Sequence, residues 1–281
     1  MMIQRRRVTL VDMMEACSIV NMGKRITGPT KVIATPKDRP SKVILGNKIK
    51  KWAVGITIAP RKEQTYNTTI DSFLSSGWEE IHLFCEPDVI VSEKHSCLPI
   101  TRRSKRHGAW SNWFTSLKDL INIYPDADCY GLIQDDVVFC KGLRVFMEET
   151  LWPSEDCGLC SVFVPSHYTR NAPGWYRTNK GFRLWMAQTF FFRPESARSC
   201  IDYDFCKNWN KEKQIDNVVG RWANETKQYP YYFSPSLSQH IGDTSTIWSE
   251  GNRAAGKRAA SDFVGEDYNL QEKMRLKNAG I

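Results

Sequence analysis

Two adjacent carboxylates follow an apolar run in the middle of the chain. Asp135 and Asp136 come directly after residues 130–133 (YGLI) and before 137–139 (VVF), so a strand delivers both to its end. Burying two carboxylates is costly unless a cation or hydrogen-bond donors compensate them. Mn²⁺ or Mg²⁺ prefers such oxygen ligands and can bridge a diphosphate leaving group. The alternative is a solvated acidic pair in a turn that caps a helix.

A third carboxylate lies near the start of a predicted helix. Asp216, in residues 214–217 (QIDN), is a candidate general base, a group that removes a proton from a hydroxyl. Aspartate is also favoured as a helix N-cap, and the two roles are compatible. Asp202 and Asp204 are weaker candidates because they precede this helix in a polar linker.

Basic and aromatic side chains surround these carboxylates in the sequence. Arg61 follows the first predicted strand, where a guanidinium can pair with phosphate, stack on a base or remain a surface charge. The basic run 102–106 is either solvated or a lid that faces phosphate. The long loop 166–182 and nearby Trp185 could stack against a sugar or a base, or could cover the core.

The elements that must position these residues alternate between strand and helix. Apolar runs predict strands at 52–58, 80–85, 129–133, 157–164 and 188–193. Helical spacing predicts helices at 66–76, 110–124, 143–151, 194–201 and 215–226. This alternation predicts an α/β sandwich with a mostly parallel sheet, whose ligands bind at the carboxyl ends of the strands.

Positive charge is concentrated at the start of the chain. The net charge of the 281 residues is +8, and residues 1–62 hold 14 lysines and arginines against three acidic residues. We therefore expect a basic arm at 1–50 with a short helix at 8–20, a catalytic domain at 51–248 and a loosely packed basic tail at 249–281. The arm suits nucleic acid, an anionic membrane face or a phosphorylated substrate, or serves solubility alone.

Cysteine usage and hydropathy indicate a cytoplasmic protein. The nine cysteines have no regular spacing, which favours reduced thiols over a secreted disulfide scaffold. The pair Cys157 and Cys160 opens an apolar strand and lacks a second well-spaced ligand pair, so buried thiols are favoured over zinc. No apolar run reaches the roughly 20 residues of a membrane span. Residues 1–17 are basic but have no apolar stretch behind the basic residues, so they do not match the pattern of a secretory signal.

Residues 52–248 resemble the nucleotide-sugar glycosyltransferases of the GT-A fold. Four regions carry the likeness in the family's order: 58–61 (IAPR) with 75–78 (SSGW); 108–113 (GAWSNW) with 125–128 (PDAD) and 132–139 (LIQDDVVF); 187–194 (AQTFFFRP); and 235–245 (PSLSQHIGDTS). The resemblance implies a Rossmann-like three-layer sandwich and a UDP-sugar donor. An inverting transfer is favoured because Asp216 is a plausible base and no second nucleophile is evident.

The resemblance also implies roles for individual residues. It makes Asp136 and His240 the ligands of Mn²⁺ or Mg²⁺ and makes Asp216 the base. The residues that it places at the donor are Arg61, Asn112, Gln134, Asp135 and Gln188. Gln134 stands where the family pattern begins with Asp or Glu. Since glutamine can hydrogen-bond a ribose hydroxyl, we expect donor binding to persist with weaker metal affinity.

Three other functions stay open at the level of sequence. The acceptor is a glycan or small molecule, or instead DNA with hydroxymethylated pyrimidines, as for some phage enzymes, and the basic arm suits either DNA or an anionic lipid surface. A nucleotidyltransferase usually carries a glycine-rich phosphate loop, and none follows 52–58. A non-catalytic nucleic-acid-binding module would leave the acidic pair and His240 without a purpose.

Overall fold

The computed structural model describes residues 40–41, 49–178, 184–210, 214–242 and 259–273. The predicted helix at 8–20 and most of the predicted arm lie outside these residues. The predicted tail is described over 259–273.

The core of the molecule is an eight-stranded mixed sheet with a separate two-stranded ribbon. The strands are β1 (Trp52–Ile58), β2 (His82–Cys85), β3 (Ile100–Arg102), β4 (Cys129–Gln134), β5 (Val137–Phe139), β6 (Cys157–Ser161), β7 (Gly174–Arg177), β8 (Thr189–Phe192), β9 (Tyr229–Ser234) and β10 (Ser238–His240). The large sheet has the order β3-β2-β1-β4-β8-β6-β9-β7, and β10 pairs with β5. Four of its seven neighbouring pairs are parallel, including all those among β1 to β4.

Helices cover both faces of this sheet. They are α1 (Tyr66–Ser75), α2 (Ala109–Ile123), α3 (Leu143–Thr150), α4 (Pro194–Asp202), α5 (Asp204–Lys207) and α6 (Ile215–Thr226). The side chains of β1 alternate between the two resulting cores: Val54 and Ile56 join the α1 and α3 side, and Ala53 joins the α2 and α6 side. The predicted α/β sandwich with a mostly parallel sheet is confirmed.

Close packing explains two glycines of the central strands. A Cβ on Gly55 would lie 2.5 Å from the ring of Phe84, and one on Gly131 would lie 2.9 Å from the ring of Phe191. Both rings press directly on the backbone of a neighbouring strand. Phe84 and Phe191 can pack against the neighbouring strands at these positions because glycine has no side chain there.

The aromatic loop predicted at 166–182 contains a strand. Trp175 and Tyr176 lie in β7 and are 0% and 3% exposed, so they belong to the core and the stacking interpretation is wrong for these two rings. Trp185 differs, since 52% of it is exposed.

The described part of the predicted tail is firmly docked. Leu270 and Ala260 are buried, and residue Lys141 forms an isolated parallel bridge with Asn269. Asp262 accepts hydrogen bonds from the Ser234 hydroxyl and the Ser236 amide. The expectation of loose packing is therefore wrong for 259–273, a stretch that carries four carboxylates and one lysine.

The described cysteines are free thiols. Seven of these eight are buried, and burial raises the pKa of Cys129 and Cys160 well above the ordinary value. The Sγ atoms of Cys157 and Cys160 lie 3.5 Å apart, within hydrogen-bond distance, and form no disulfide. No helix within the described ranges is long and apolar enough to cross a membrane.

Candidate functional site

The acidic pair lies where two central parallel strands end. Strands β1 and β4 pair in register from Trp52 and Cys129 to Thr57 and Gln134. The loop 59–65 after β1 therefore starts at the same edge of the sheet as Asp135 and Asp136. Both aspartates are buried, with 2% and 3% exposure, so their charges need compensation inside the protein.

Arg61 supplies a cation to both aspartates. Its Nε lies 3.2 Å from Asp135 Oδ2, its Nη2 contacts Asp135 Oδ1, and its Nη1 lies 2.8 Å from Asp136 Oδ2. The Ala59 amide also donates to Asp135 Oδ2 at 3.1 Å. The Arg61 side chain is only 10% exposed, so the interpretation as a surface charge is wrong.

The two aspartates differ in their electrostatics. Burial raises the pKa of Asp135 above the ordinary value, and the charge of Arg61 opposes this only in part. Burial acts in the same direction at Asp136, but hydrogen bonding to His240 and the charge of Arg61 outweigh it and hold the pKa of that carboxyl below its usual range. Asp136 is therefore the more firmly ionised member of the pair.

The ribbon of β5 and β10 brings His240 to Asp136. Strand β5 starts immediately after the acidic pair, and His240 is in register with Val137 across the antiparallel ribbon. The Ile241 amide donates to the Asp136 carbonyl at 2.8 Å, and His240 Nε2 lies 3.1 Å from Asp136 Oδ2. Two residues 104 positions apart in the sequence thus meet in one buried contact.

The surroundings of Asp136 fit a divalent ion that is shared with a ligand. Asp136 Oδ1 is buried and has no hydrogen-bond partner among the described residues. A Cβ on Gly242 would lie 2.8 Å from Asp136 Oδ2, so the backbone passes close by. No three His, Cys, Asp or Glu residues of the described chain are placed to hold a metal together. Asp136 and His240 therefore fit an ion that completes its coordination with phosphate and water, as Mg²⁺ often does.

Two glutamines lie beside the acidic pair. The Gln134 amide donates to the Gln188 carbonyl at 3.0 Å, which joins the end of β4 to the start of β8. Gln188 is 6% exposed, and its Oε1 has no hydrogen-bond partner within the described ranges. The side-chain amide of Gln188 is thus a polar group available to a ligand at the strand ends.

Asn112 and part of the basic run have structural partners. Asn112 Oδ1 accepts from Arg103 Nε at 2.9 Å, and Arg103 also donates to Ser116 and Asp119 of α2. Arg103 is consequently buried rather than solvated, while Lys105 and Arg106 are exposed. Asn112 therefore orders the loop before α2.

Glu86 is a buried carboxylate that sequence reasoning missed. It follows β2 and accepts the His107 and Gly108 amides at 2.9 to 3.0 Å. The signal was available, because a carboxylate directly after an apolar strand is the same pattern that identified the acidic pair. Glu86 thus fixes the loop that leads into α2.

Asp216 is connected to the acidic pair through hydrogen bonds and adjacent residues. It is the second residue of α6, and the N-cap position belongs to Gln214, so the N-cap interpretation is wrong. Its Oδ1 accepts the Met186 and Ala187 amides, both at 2.8 Å. Gln188 follows Ala187 in the sequence, and its carbonyl accepts the hydrogen bond from the Gln134 backbone amide. The carboxylate therefore lies at the same edge of the sheet as the acidic pair.

Comparison with known proteins gives structural similarity only. No protein-family model and no curated protein matches the chain. It is similar to GalNAc-T7 with UDP, GalNAc and Mn²⁺ (TM-score 0.49, 10% identity, 70% of this chain and 45% of that one). It is also similar to the mannosyltransferase PcManGT from Pyrobaculum calidifontis in complex with GDP-Man and Mn²⁺ (TM-score 0.37, 12% identity, 56% and 48%).

The chain spans less than half the length of either of these proteins. The sugar nucleotides and Mn²⁺ belong to those two structures. The α/β sandwich described above, with its mostly parallel sheet, is consistent with the Rossmann-like GT-A fold that the sequence motifs resemble.

Proposed function

We propose that this protein is a GT-A-type glycosyltransferase that moves a sugar from a nucleotide sugar to an acceptor hydroxyl. The observation that carries the proposal is the buried contact of Asp136 with His240, where Asp136 Oδ1 lacks a partner among the described residues. Such an atom beside an imidazole, at the carboxyl ends of parallel strands, suits a cation held jointly with a diphosphate. We propose a UDP-sugar as the donor.

In this proposal Asp136 and His240 hold Mn²⁺ or Mg²⁺. When bound, the ion stabilises the charge of the departing diphosphate. Arg61 orients Asp135 through hydrogen bonds, and its guanidinium adds a positive charge beside Asp136. Gln134 and Gln188 offer amides to hydroxyl groups of the donor, and Asn112 keeps the adjoining loop in place through Arg103.

Asp216 acts as the general base of an inverting transfer. Its carboxylate takes the proton of the acceptor hydroxyl while that oxygen bonds to the anomeric carbon, and the bond from this carbon to the diphosphate oxygen breaks. The Met186 and Ala187 amides hold one carboxylate oxygen in a fixed orientation. A direct attack inverts the configuration because the acceptor oxygen approaches the anomeric carbon on the face opposite the departing diphosphate.

A panel of nucleotide sugars tests the proposal. The full chain is incubated with each UDP- and GDP-sugar and Mn²⁺, and the released nucleoside diphosphate is measured. We expect slow hydrolysis of one donor without acceptor, and stimulation when the acceptor is added. Failure to bind or hydrolyse any member of the panel would overturn the proposal.

The charge of the chain supports DNA as a second acceptor class. Lys62, Lys105 and Arg106 are exposed on loops at the edge of the sheet that carries the acidic pair. Residues 1–62 add further positive charge. These cations would favour a polyanionic acceptor such as DNA with hydroxymethylated pyrimidines.

A further inference from the structure

One large aromatic side chain lies in solvent next to the candidate base. Trp185 is 52% exposed, whereas its neighbours Leu184 and Met186 are 2% and 0% exposed. Within the described ranges it is the only tryptophan, tyrosine or phenylalanine that is exposed. A single exposed ring is ordinary on a protein surface, so its meaning depends on what lies beside it.

The main chain holds Trp185 close to the Asp216 carboxylate. Asp216 Oδ1 accepts the Met186 amide at 2.8 Å. The Trp185 Cα is two covalent bonds from that nitrogen, so it lies within about 6 Å of the carboxylate oxygen. Asp216 is half-buried, which leaves part of the residue open to solvent. The exposed indole and the candidate base thus belong to the same small region of the surface.

His167 provides a second ring beside the indole. The ring centroids of Trp185 and His167 lie 5.7 Å apart, and the ring planes meet at 89°. His167 is also exposed, and it belongs to the short helical turn Ser166–Tyr168. Two separate loops therefore form one corner of perpendicular rings.

This corner is anchored in the core through Tyr168. The Tyr168 ring is 2% exposed, lies 4.6 Å from the His167 ring between centroids, and stacks on Tyr232 at 5.1 Å. Burial raises the pKa of Tyr168, and electrostatic interaction with Tyr232 and Asp216 raises it further. The anchoring ring is thus itself within electrostatic range of the base. Close packing of such rings fixes the position of the exposed corner.

We propose that the indole of Trp185 is the platform on which a saccharide acceptor lies while one of its hydroxyl groups meets Asp216. The inference rests on the proposed function and names its acceptor class. A flat aromatic face can cover the apolar C–H face of a sugar ring and leave the hydroxyl groups free at the rim of that ring. The reacting hydroxyl must come within hydrogen-bond distance of the base, and the short path from Trp185 to Asp216 meets this requirement.

The perpendicular arrangement of the two rings favours a sugar over a nucleobase. An enzyme that modifies a base in DNA flips it out of the duplex and stacks it between aromatic or apolar side chains. Rings at 89° do not offer the two parallel faces that would enclose a flat base. A sugar needs only one apolar face beneath it, with polar groups around its rim. DNA with hydroxymethylated pyrimidines is therefore the competing outcome of the test.

Acceptor kinetics of Trp185 variants test the platform. The full chain, with the nucleotide sugar that it hydrolyses, is assayed against an array of neutral and acidic oligosaccharides and a duplex that contains hydroxymethylcytosine. We expect an oligosaccharide to stimulate nucleotide release. Trp185→Ala should raise the KM for that oligosaccharide about tenfold or more, whereas the KM for the donor changes little. Trp185→Phe should recover much of the lost affinity, because a smaller aromatic face remains.

Two further variants keep the test valid. Trp185→Leu retains an apolar side chain and therefore the fold, but it offers no flat ring and should behave like Trp185→Ala. The control is Ile90→Ala, which removes an apolar side chain that is 79% exposed on the loop after β2. It should leave the KM values for donor and oligosaccharide unchanged. Melting temperatures identify any variant that is not folded.

Two results would overturn the inference and leave the proposed function standing. One is donor hydrolysis that no oligosaccharide stimulates, whether or not the duplex does. The other is a stimulating oligosaccharide whose KM is the same for the wild type, Trp185→Ala and Trp185→Leu. Failure of the proposed function is recognised separately, because the wild-type chain would then neither bind nor hydrolyse any nucleotide sugar.

Discussion

Arg61 compensates only part of the charge of the acidic pair. One guanidinium faces two buried carboxylates, and most of its hydrogen bonds go to Asp135. Asp136 Oδ2 contacts both Arg61 Nη1 and His240 Nε2. Asp136 Oδ1 has no hydrogen-bond partner in the described chain. The unused hydrogen-bonding capacity of the pair thus includes Asp136 Oδ1. This asymmetry is the physical basis for expecting a second cation there.

Asp136→Asn tests that expectation. We predict that Mn²⁺-supported binding of UDP is lost, because the amide removes the charge and one potential ligand atom. Calorimetric titration with UDP, with and without Mn²⁺, measures the effect. Asp126→Asn, an exposed aspartate, is the control. Equal UDP affinity of the two variants would contradict a metal role for Asp136.

Two substitutions at Asp216 separate catalysis from structure. In Asp216→Asn an amide oxygen can still accept the Met186 and Ala187 amides, so the fold should persist. Turnover should fall by about 10²-fold or more, which is typical of a lost general base, while UDP binding is unchanged. Asp216→Ala should also lower the melting temperature, because two amides lose their acceptor.

Thermal unfolding and steady-state kinetics distinguish these outcomes. Near-normal turnover in Asp216→Asn would mean that the carboxylate only anchors the chain before β8. The acceptor for this assay is the one that stimulates donor hydrolysis in the wild-type chain.

At the scale of elements, local pattern predicted best where the element is long and its burial is regular. Strand β1 and helix α6 occur at their predicted limits, Trp52–Ile58 and Ile215–Thr226. Strand β9 is not among the predicted strands, and Pro230 within it argues against an interior strand. The structure accommodates it opposite an irregular register in β6, between Cys157 and Leu159. That irregularity belongs to the partner strand, so β9 alone did not reveal it.

Within the site, too, local features were predictable from the sequence and long-range contacts were not. The acidic pair was predictable because its signal, a carboxylate after an apolar strand, is local. The partner of Arg61 was not, because 74 residues separate it from Asp135. Likewise, the amides that hold Asp216 come from a loop 29 and 30 residues earlier. Contacts of this kind depend on which strand ends meet, and the strand order supplies that information.

The docked segment 259–273 gives a pH-dependent prediction. Burial raises the pKa of Asp262, and hydrogen bonds from Ser236 and Ser234 offset this only in part. The folded state therefore binds this proton more tightly than the unfolded state. The contribution of Asp262 to stability falls as pH rises from the unfolded pKa through the folded one.

Asp262→Asn removes this titration. Relative to the wild type, the variant should be more stable at about pH 7 than at about pH 4, as measured by urea unfolding at both values. Glu272→Gln replaces an exposed carboxylate of the same segment and should show no such difference. An equal change at both pH values would contradict the partial desolvation of Asp262, which is half-buried.

At the scale of the whole molecule, Ser41 and Ile49, which precede the predicted domain boundary, already contact the folded body. The Ser41 amide donates to the Trp175 carbonyl at 2.9 Å, and Ile49 is buried in the core at 4% exposure. The predicted boundary at residue 50 would therefore cut through packed chain. Removal of residues 1–39 takes away eight lysines and arginines and three acidic residues and leaves the packing of Ser41 and Ile49 in place.

This deletion separates general attraction to anions from catalysis. If the arm binds duplex DNA, the slope of log affinity against log salt should flatten by about 0.9 for each phosphate that the arm no longer neutralises. Donor hydrolysis and the melting temperature should not change, because the catalytic residues and the packing of Ser41 and Ile49 remain. The control replaces Lys105 and Arg106 with glutamine, which removes charge at the edge of the sheet instead. An unchanged slope in the deletion variant, together with a flatter one in the control, would place the polyanion at the site and make DNA the acceptor to test first.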